Sequence, residues 1–176
     1  MYHRAGQFAA AGGKLRSLGP RVLRPAVHYS LTPSPRCRTF SSSLYSMSQP
    51  YSAVSTENAP AALGPYSQAI KTDSLVFCSG CIPLDPATMK VVEGGVEEQA
   101  EQALKNLTAV VEAAGSGLDH VVKTTVFLKN MDDFAKINAV YAKHFGSAKP
   151  ARSCVEVARL PLGVLFEIEA VAVYKK

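Results

Sequence analysis

The sequence predicts one α+β domain with two helices on one face of a sheet. Three features point there: two segments repeat apolar residues every three or four positions, short β-branched and aromatic runs surround them, and the order is strands, helix, strand, helix, two strands. The apolar fraction of 47% is ample for one core. No run reaches the ~18 apolar residues that a membrane-spanning helix requires.

Residues 66–70 and 75–79 read as the first strands, followed by a turn at Asp85-Pro86-Ala87-Thr88 and a short strand near 90–92. Val96, Ala100, Ala103, Leu104, Leu107, Val110, Val111 and Ala114 then mark an amphipathic helix. Glu97 and Glu98 suit its positive end, and Gly115 can take the left-handed conformation that stops it. Residues 121–128 form a further strand. The second helix starts near Asp132 or Asp133, whose side chains can accept from first-turn amides. It buries Phe134, Ile137, Val140, Tyr141 and Phe145, and ends at Gly146. Strands at 152–157 and 166–174 complete the domain. In the last, Phe166, Ile168, Ala170 and Ala172 share a face opposite Glu167 and Glu169. Two helices cover one sheet face, so the other is expected to pack against further copies of the chain.

The formal charge of +5 suggests a nucleic-acid partner until its distribution is considered. No Asp or Glu precedes Glu57, whereas Arg4, Lys14, Arg16, Arg21, Arg24, Arg36 and Arg38 do; from Glu57 onward 12 Lys and Arg face 14 acids, a net −2. An acid-free leader rich in Arg, Ser and Ala matches a mitochondrial transit peptide. Residues 1–47 are assigned to it, with a matrix destination, and residues 48–176 to the domain. Arg38-Thr39-Phe40-Ser41 resembles a processing site, and initiation at Met47 would give a leaderless cytosolic form.

Beyond the leader remain Cys78, Cys81 and Cys154, an odd number that favours reduced thiols. Cys78-Ser79-Gly80-Cys81 has the spacing of a redox pair or half a metal site. On a regular strand, however, residues three apart face opposite ways and their sulfurs diverge; a bulge at Gly80 would reverse that. No metal is assigned. Glycine-rich dinucleotide or phosphate loops, H-E-x-x-H and G-x-S-x-G are all absent from the sequence. Arg152, opening a strand after Pro150-Ala151, has the planar fork that matches a carboxylate. Glu167, between Phe166 and Ile168, is a carboxylate of restricted hydration that can activate water. An ordinary surface ion pair is the alternative reading of both.

At these residues the chain resembles the RidA/YjgF family of imine deaminases, over residues 54–174. The resemblance is carried by Asn58-Ala59-Pro60-Ala61-Ala62-Leu63-Gly64-Pro65-Tyr66-Ser67-Gln68-Ala69, Val122-Lys123-Thr124-Thr125-Val126-Phe127-Leu128, Pro150-Ala151-Arg152-Ser153-Cys154-Val155-Glu156-Val157 and Phe166-Glu167-Ile168-Glu169-Ala170. It implies a chorismate-mutase-like fold with a mixed sheet, assembled as a homotrimer with sites between subunits. By the same resemblance Arg152 binds a substrate carboxylate and Glu167 orients the attacking water. Tyr66, Ser79, Gly80, Asn138 and Cys154 line the pocket. The implied substrates are 2-iminopropanoate and 2-iminobutanoate, hydrolysed without metal or cofactor. Two positions depart from the family pattern: Cys81 stands where Gln is usual, and Met89 where Gly is usual. Two rivals are a regulatory carboxylate-binding module and a ribonuclease or translation inhibitor. Glu167 beside an anion argues against the first, and the net −2 of the domain against the second.

Overall fold

The computed structural model describes residues 50–174, so the leader at 1–47 lies outside the described residues. Among the described residues six strands, β1 (Ser52–Val54), β2 (Ala69–Lys71), β3 (Leu75–Cys81), β4 (Val121–Leu128), β5 (Ala151–Glu156) and β6 (Phe166–Val173), form one sheet in the order β1-β2-β3-β6-β4-β5. All pairings are antiparallel except β4 with β5, so the sheet is mixed as expected. Helices α1 (Val96–Ala113) and α2 (Phe134–Phe145) cover one face.

Alternation on β6 decides which face is which. Phe166, Ile168, Ala170 and Ala172 are buried beneath the helices, whereas Glu167 and Glu169 face away. They meet Leu104, Leu107, Val110 and Val111 of α1 and Ile137, Val140 and Phe145 of α2 in one continuous core. Each such aliphatic or aromatic side chain contributes about 1.5–3 kcal/mol by leaving water. The other face keeps Phe77, Val155 and Val173 exposed. An apolar surface of this kind suits contact with another chain.

The ends of α1 follow from its sequence. Glu98 Oε2 accepts from the Gly95 amide at 2.8 Å, and Gly115 turns left-handed at φ 83° while Ser116 N reaches Val111 O. At α2 the expected aspartate cap is replaced. Asn130 Oδ1 accepts from Asp132 N at 3.0 Å, opening a 3-10 turn at Met131–Asp133, and Asp133 instead binds Lys136. Gly146 stays right-handed after α2, the left-handed residue being Lys149. Phe134 is also not buried as expected: it lies 36% exposed at the sheet edge, beneath an arginine.

Three further boundaries differ from the sequence reading. The first strand of the sheet, β1, carries too short an apolar signal to be anticipated. Residues 66–68 are loop rather than strand, because Tyr66 N turns back onto Gly64 O and the Gln68 amide binds the carbonyls of Thr56, Ala59 and Pro60. The strand expected near 90–92 is reduced to a single bridge, Leu84 with Val91. Met89 in that turn is left-handed at φ 57°, so a non-glycine residue bears a strain of about 1–2 kcal/mol there.

Between Cys78, opposite Ala170, and Cys81, opposite Ile168, the register slips by one residue. Ser79 and Gly80 therefore form a β-bulge. Ala170 and Ile168 share the helix-covered face, so Cys78 and Cys81 share it too, correcting the divergence expected of a regular strand. Both thiols are free, as is Cys154. Burial pushes the Cys78 thiol up to about 12 and the Cys81 thiol up as well, so neither is a ready thiolate.

Just past the bulge, buried Asn106 on α1 donates to Ile82 O at 3.0 Å and Leu84 O at 2.8 Å, fixing the chain that leaves β3. Asn106→Leu strips both carbonyls of that donor and is expected to lower the unfolding free energy by about 2–4 kcal/mol. Urea denaturation reads this directly; a loss under about 0.5 kcal/mol would mean that the amide is dispensable.

Candidate active site

Glu167 owes its setting to the bulge. Gly80 has no side chain, and a Cβ built there would collide with Glu167 Oε1, so the glycine lets the carboxylate lie against β3. Among the described residues no donor is hydrogen-bonded to that carboxylate. Burial raises its pKa above the ordinary 4.5, and Glu169, two residues along the same face, raises it further. A half-buried carboxylate of raised pKa is suited to take a proton from water. Beside it, Ser79 Oγ donates to Ser67 O at 2.6 Å, while the Tyr66 hydroxyl accepts from Leu63 N at 3.2 Å. Tyr66, Ser79 and Gly80 together line one cavity.

Arg152 lies elsewhere. It sits on edge strand β5 opposite Thr124, on the helix-covered side, with its guanidinium 4.6 Å from the Tyr141 ring centroid and 5.4 Å from that of Phe134. The Tyr141 ring is itself held, its hydroxyl 2.8 Å from Thr124 Oγ1. The ring faces hold the guanidinium at this edge by cation–π attraction, which does not use its N–H groups. Among the described residues no carboxylate forms an ion pair with it. Cys154, two residues along β5, lines the same shallow recess with Met131 and Phe134. Burial raises that thiol's pKa and the arginine opposes the rise. Asn138 lies one helical turn beyond Phe134, on the α2 face that carries both rings.

The residues singled out from sequence therefore gather into two groups, Tyr66, Ser79, Gly80 and Glu167 at the bulge, and Asn138, Arg152 and Cys154 at the β5 edge. Glu167 pairs with Phe127 of β4, three residues beyond Thr124, the partner of Arg152. That offset is about 10 Å along the strands and about 10 Å across them, with the side chains on opposite faces. Within one chain the two groups stay apart. Aromatic residues at this spacing also fit a core stripe, so the sequence alone does not mark Phe134 and Tyr141 as the bed of the arginine.

The raised pKa of Glu167 has a consequence for stability. The folded state holds this proton more tightly than the unfolded chain does, so ionised Glu167 is destabilising above its folded pKa, and the penalty fades below 4.5. Glu167→Gln is thus expected to be more stable than the wild type at pH 7 and to lose that advantage near pH 4. Denaturant midpoints measured at both pH values decide it, and an advantage of equal size at the two would contradict the titration.

Known proteins are similar along the same stretch. Residues 56–174 match the family model described as Endoribonuclease L-PSP. A RutC family protein of Pyrococcus horikoshii is 56% identical over 121 residues, covering 69% of this chain and 95% of that one. The 2-iminobutanoate/2-iminopropanoate deaminase of Mus musculus is 50% identical over 120 residues, 68% of this chain and 89% of that one. The crystal structure of the YjgF gene product from E. coli superposes with a TM-score of 0.67 at 49% identity, over 70% of this chain and 99% of that one. By the extent of the family match, the identities and the shared fold, this chain belongs to the RidA/YjgF family.

Proposed function

We propose that the protein hydrolyses 2-imino acids such as 2-iminopropanoate and 2-iminobutanoate to 2-keto acids and ammonia. It does so in a homotrimer whose sites join the Arg152 half-site of one copy to the Glu167 half-site of the next. One observation carries the reading: a guanidinium seated on an aromatic ring and a half-buried carboxylate, each without an ion-pair partner among the described residues, lie on opposite faces of the same sheet. The exposed Phe77, Val155 and Val173 on the uncovered face support contact between copies, and the name of the mouse relative supports the substrate class.

The chemistry follows from the groups present. Arg152 grips the substrate carboxylate through paired N–H bonds, which orients the neighbouring C=N carbon. That carbon is already electrophilic when the imine is protonated, so fixing it beside water removes much of the barrier. Glu167 accepts a proton as water adds, giving a carbinolamine. The proton passes to nitrogen, the C–N bond breaks, and ammonia and the 2-keto acid leave. The balance needs only water. The acid-free leader at 1–47 supports delivery to the mitochondrial matrix, with a cytosolic form arising from Met47. A nucleic-acid substrate has less support, because the sequence from Glu57 onward carries a net −2.

The test generates 2-iminopropanoate in situ with an amino-acid oxidase and follows its capture by semicarbazide. Wild-type protein is expected to outcompete capture. Glu167→Gln should lower kcat by about 100-fold or more, and Arg152→Ala should cut kcat/KM at least as far. Semicarbazone formation at the same rate with the wild type and both variants would refute the assignment.

A further inference from the structure

Parallel pairing sets Thr124 of β4 directly beside Arg152 of β5. Thr124 is fully buried and interrupts an apolar row, since Val126 and Leu128 follow it on the same helix-covered face. Its hydroxyl lies 2.8 Å from that of Tyr141, and the guanidinium of Arg152 stands 4.6 Å from the centre of the Tyr141 ring. Strand, hydroxyl pair, ring and arginine thus close a loop. Phe145 packs against the same ring at 4.5 Å between centroids. Of the two rings near the arginine, Tyr141 is buried and Phe134 is partly exposed, so the tyrosine is the one fixed by packing and a hydrogen bond. Burial holds its phenol above the ordinary range, against the pull of the Thr124 bond and the Arg152 charge, so a neutral ring faces the cation at pH 7. A bonded hydroxyl pair adds little net stability over two apolar groups of the same shape, and stability alone therefore gives no reason for it.

We propose that Tyr141 and Thr124 are positioning residues for carboxylate binding: the Tyr141 ring sets where the Arg152 guanidinium stands, and the Thr124 hydroxyl sets the ring. The proposal rests on the reading of Arg152 as the group that grips the substrate carboxylate. A long rotatable stem gives an arginine head many places to stand. Among the described residues no carboxylate pairs with this one, so the ring face is what limits them. The grip on the carboxylate is the same before and during water addition. Loosening it therefore raises KM and leaves kcat nearly unchanged.

The experiment reads KM and kcat for 2-iminopropanoate, and titrates pyruvate, the keto acid that keeps the carboxylate, by NMR shifts of the protein. Tyr141→Leu removes the ring and is expected to raise KM and the pyruvate Kd by about tenfold each, with kcat within about twofold. Tyr141→Phe restores the ring and is expected to recover most of that loss. Tyr141→Phe, Thr124→Val and the two combined remove one and the same hydrogen bond. Each is expected to weaken pyruvate by about threefold, the double variant no more than either single one. The double variant replaces a bonded pair by two apolar groups, so it carries the test if Tyr141→Leu does not fold. A fall in kcat at constant KM, or pyruvate affinity equal to wild type in every folded variant, overturns the proposal. Additive losses in the double variant overturn the link through Thr124. If the wild type binds pyruvate but turns over no imine, the hydrolysis fails and the pyruvate series alone decides the positioning role; a wild type that does not bind pyruvate rejects that role.

Discussion

Burial of Phe166, Ile168, Ala170 and Ala172 beneath the two helices is the constraint from which the site geometry follows. A strand has a side-chain period of two, so seating these four residues in the core forces Glu167 and Glu169 onto the opposite face. Parallel pairing of β4 with β5 then places Arg152 opposite buried Thr124, on the helix side. Glu167 cannot cross the sheet without moving the apolar set of β6 into water, and Arg152 is held on its side by the β4–β5 register. The separation of the two groups thus follows from the core and the strand register, and the proposed shared site needs a second copy to unite them.

The bulge adds the second constraint. One extra residue in β3 turns Cys81 onto the face of Cys78 and leaves Gly80 as bare backbone against Glu167. The same distortion thus sets Gly80 against the half-buried Glu167 carboxylate on one side and lines a cavity with Cys81 on the other. Buried amides brace both flanks: Gln68 holds the loop before β2, and Asn106 holds the chain after β3. Bulges commonly re-aim side chains beside functional sites, and here the re-aimed residue is Cys81.

Much of the fold was legible in the sequence because its elements have clear periods. Both helices, and the strands β4, β5 and β6, lie within a residue or two of the limits read from apolar spacing. What was not legible depended on long-range bonds. The three residues of β1 have no strand signal of their own and pair only because β2 is there to receive them. Residues 66–68 look like strand, but their register is set by the Gln68 amide reaching back 8 to 12 residues. At the candidate site, Arg152 and Glu167 stood out as a fork and a carboxylate in suitable company. Their placement on opposite faces required the parallel β4–β5 pairing, which no local pattern encodes. The slip between Cys78 and Cys81 was legible only as a condition, since a glycine permits a bulge without demanding one.

The proposed hydrolysis requires that the arginine and the glutamate of one site come from different copies. The most direct measurement co-expresses Arg152→Ala and Glu167→Gln chains in equal amounts, purifies all the assemblies together without sorting them and assays imine hydrolysis. With random mixing in a ring, each site takes its arginine from one neighbour and its glutamate from the next, so about one quarter of the sites regain both groups. Activity near one quarter of wild type is the expected result, from two variants each nearly inactive alone. Activity no higher than the average of the two separate variants would contradict a site shared between copies.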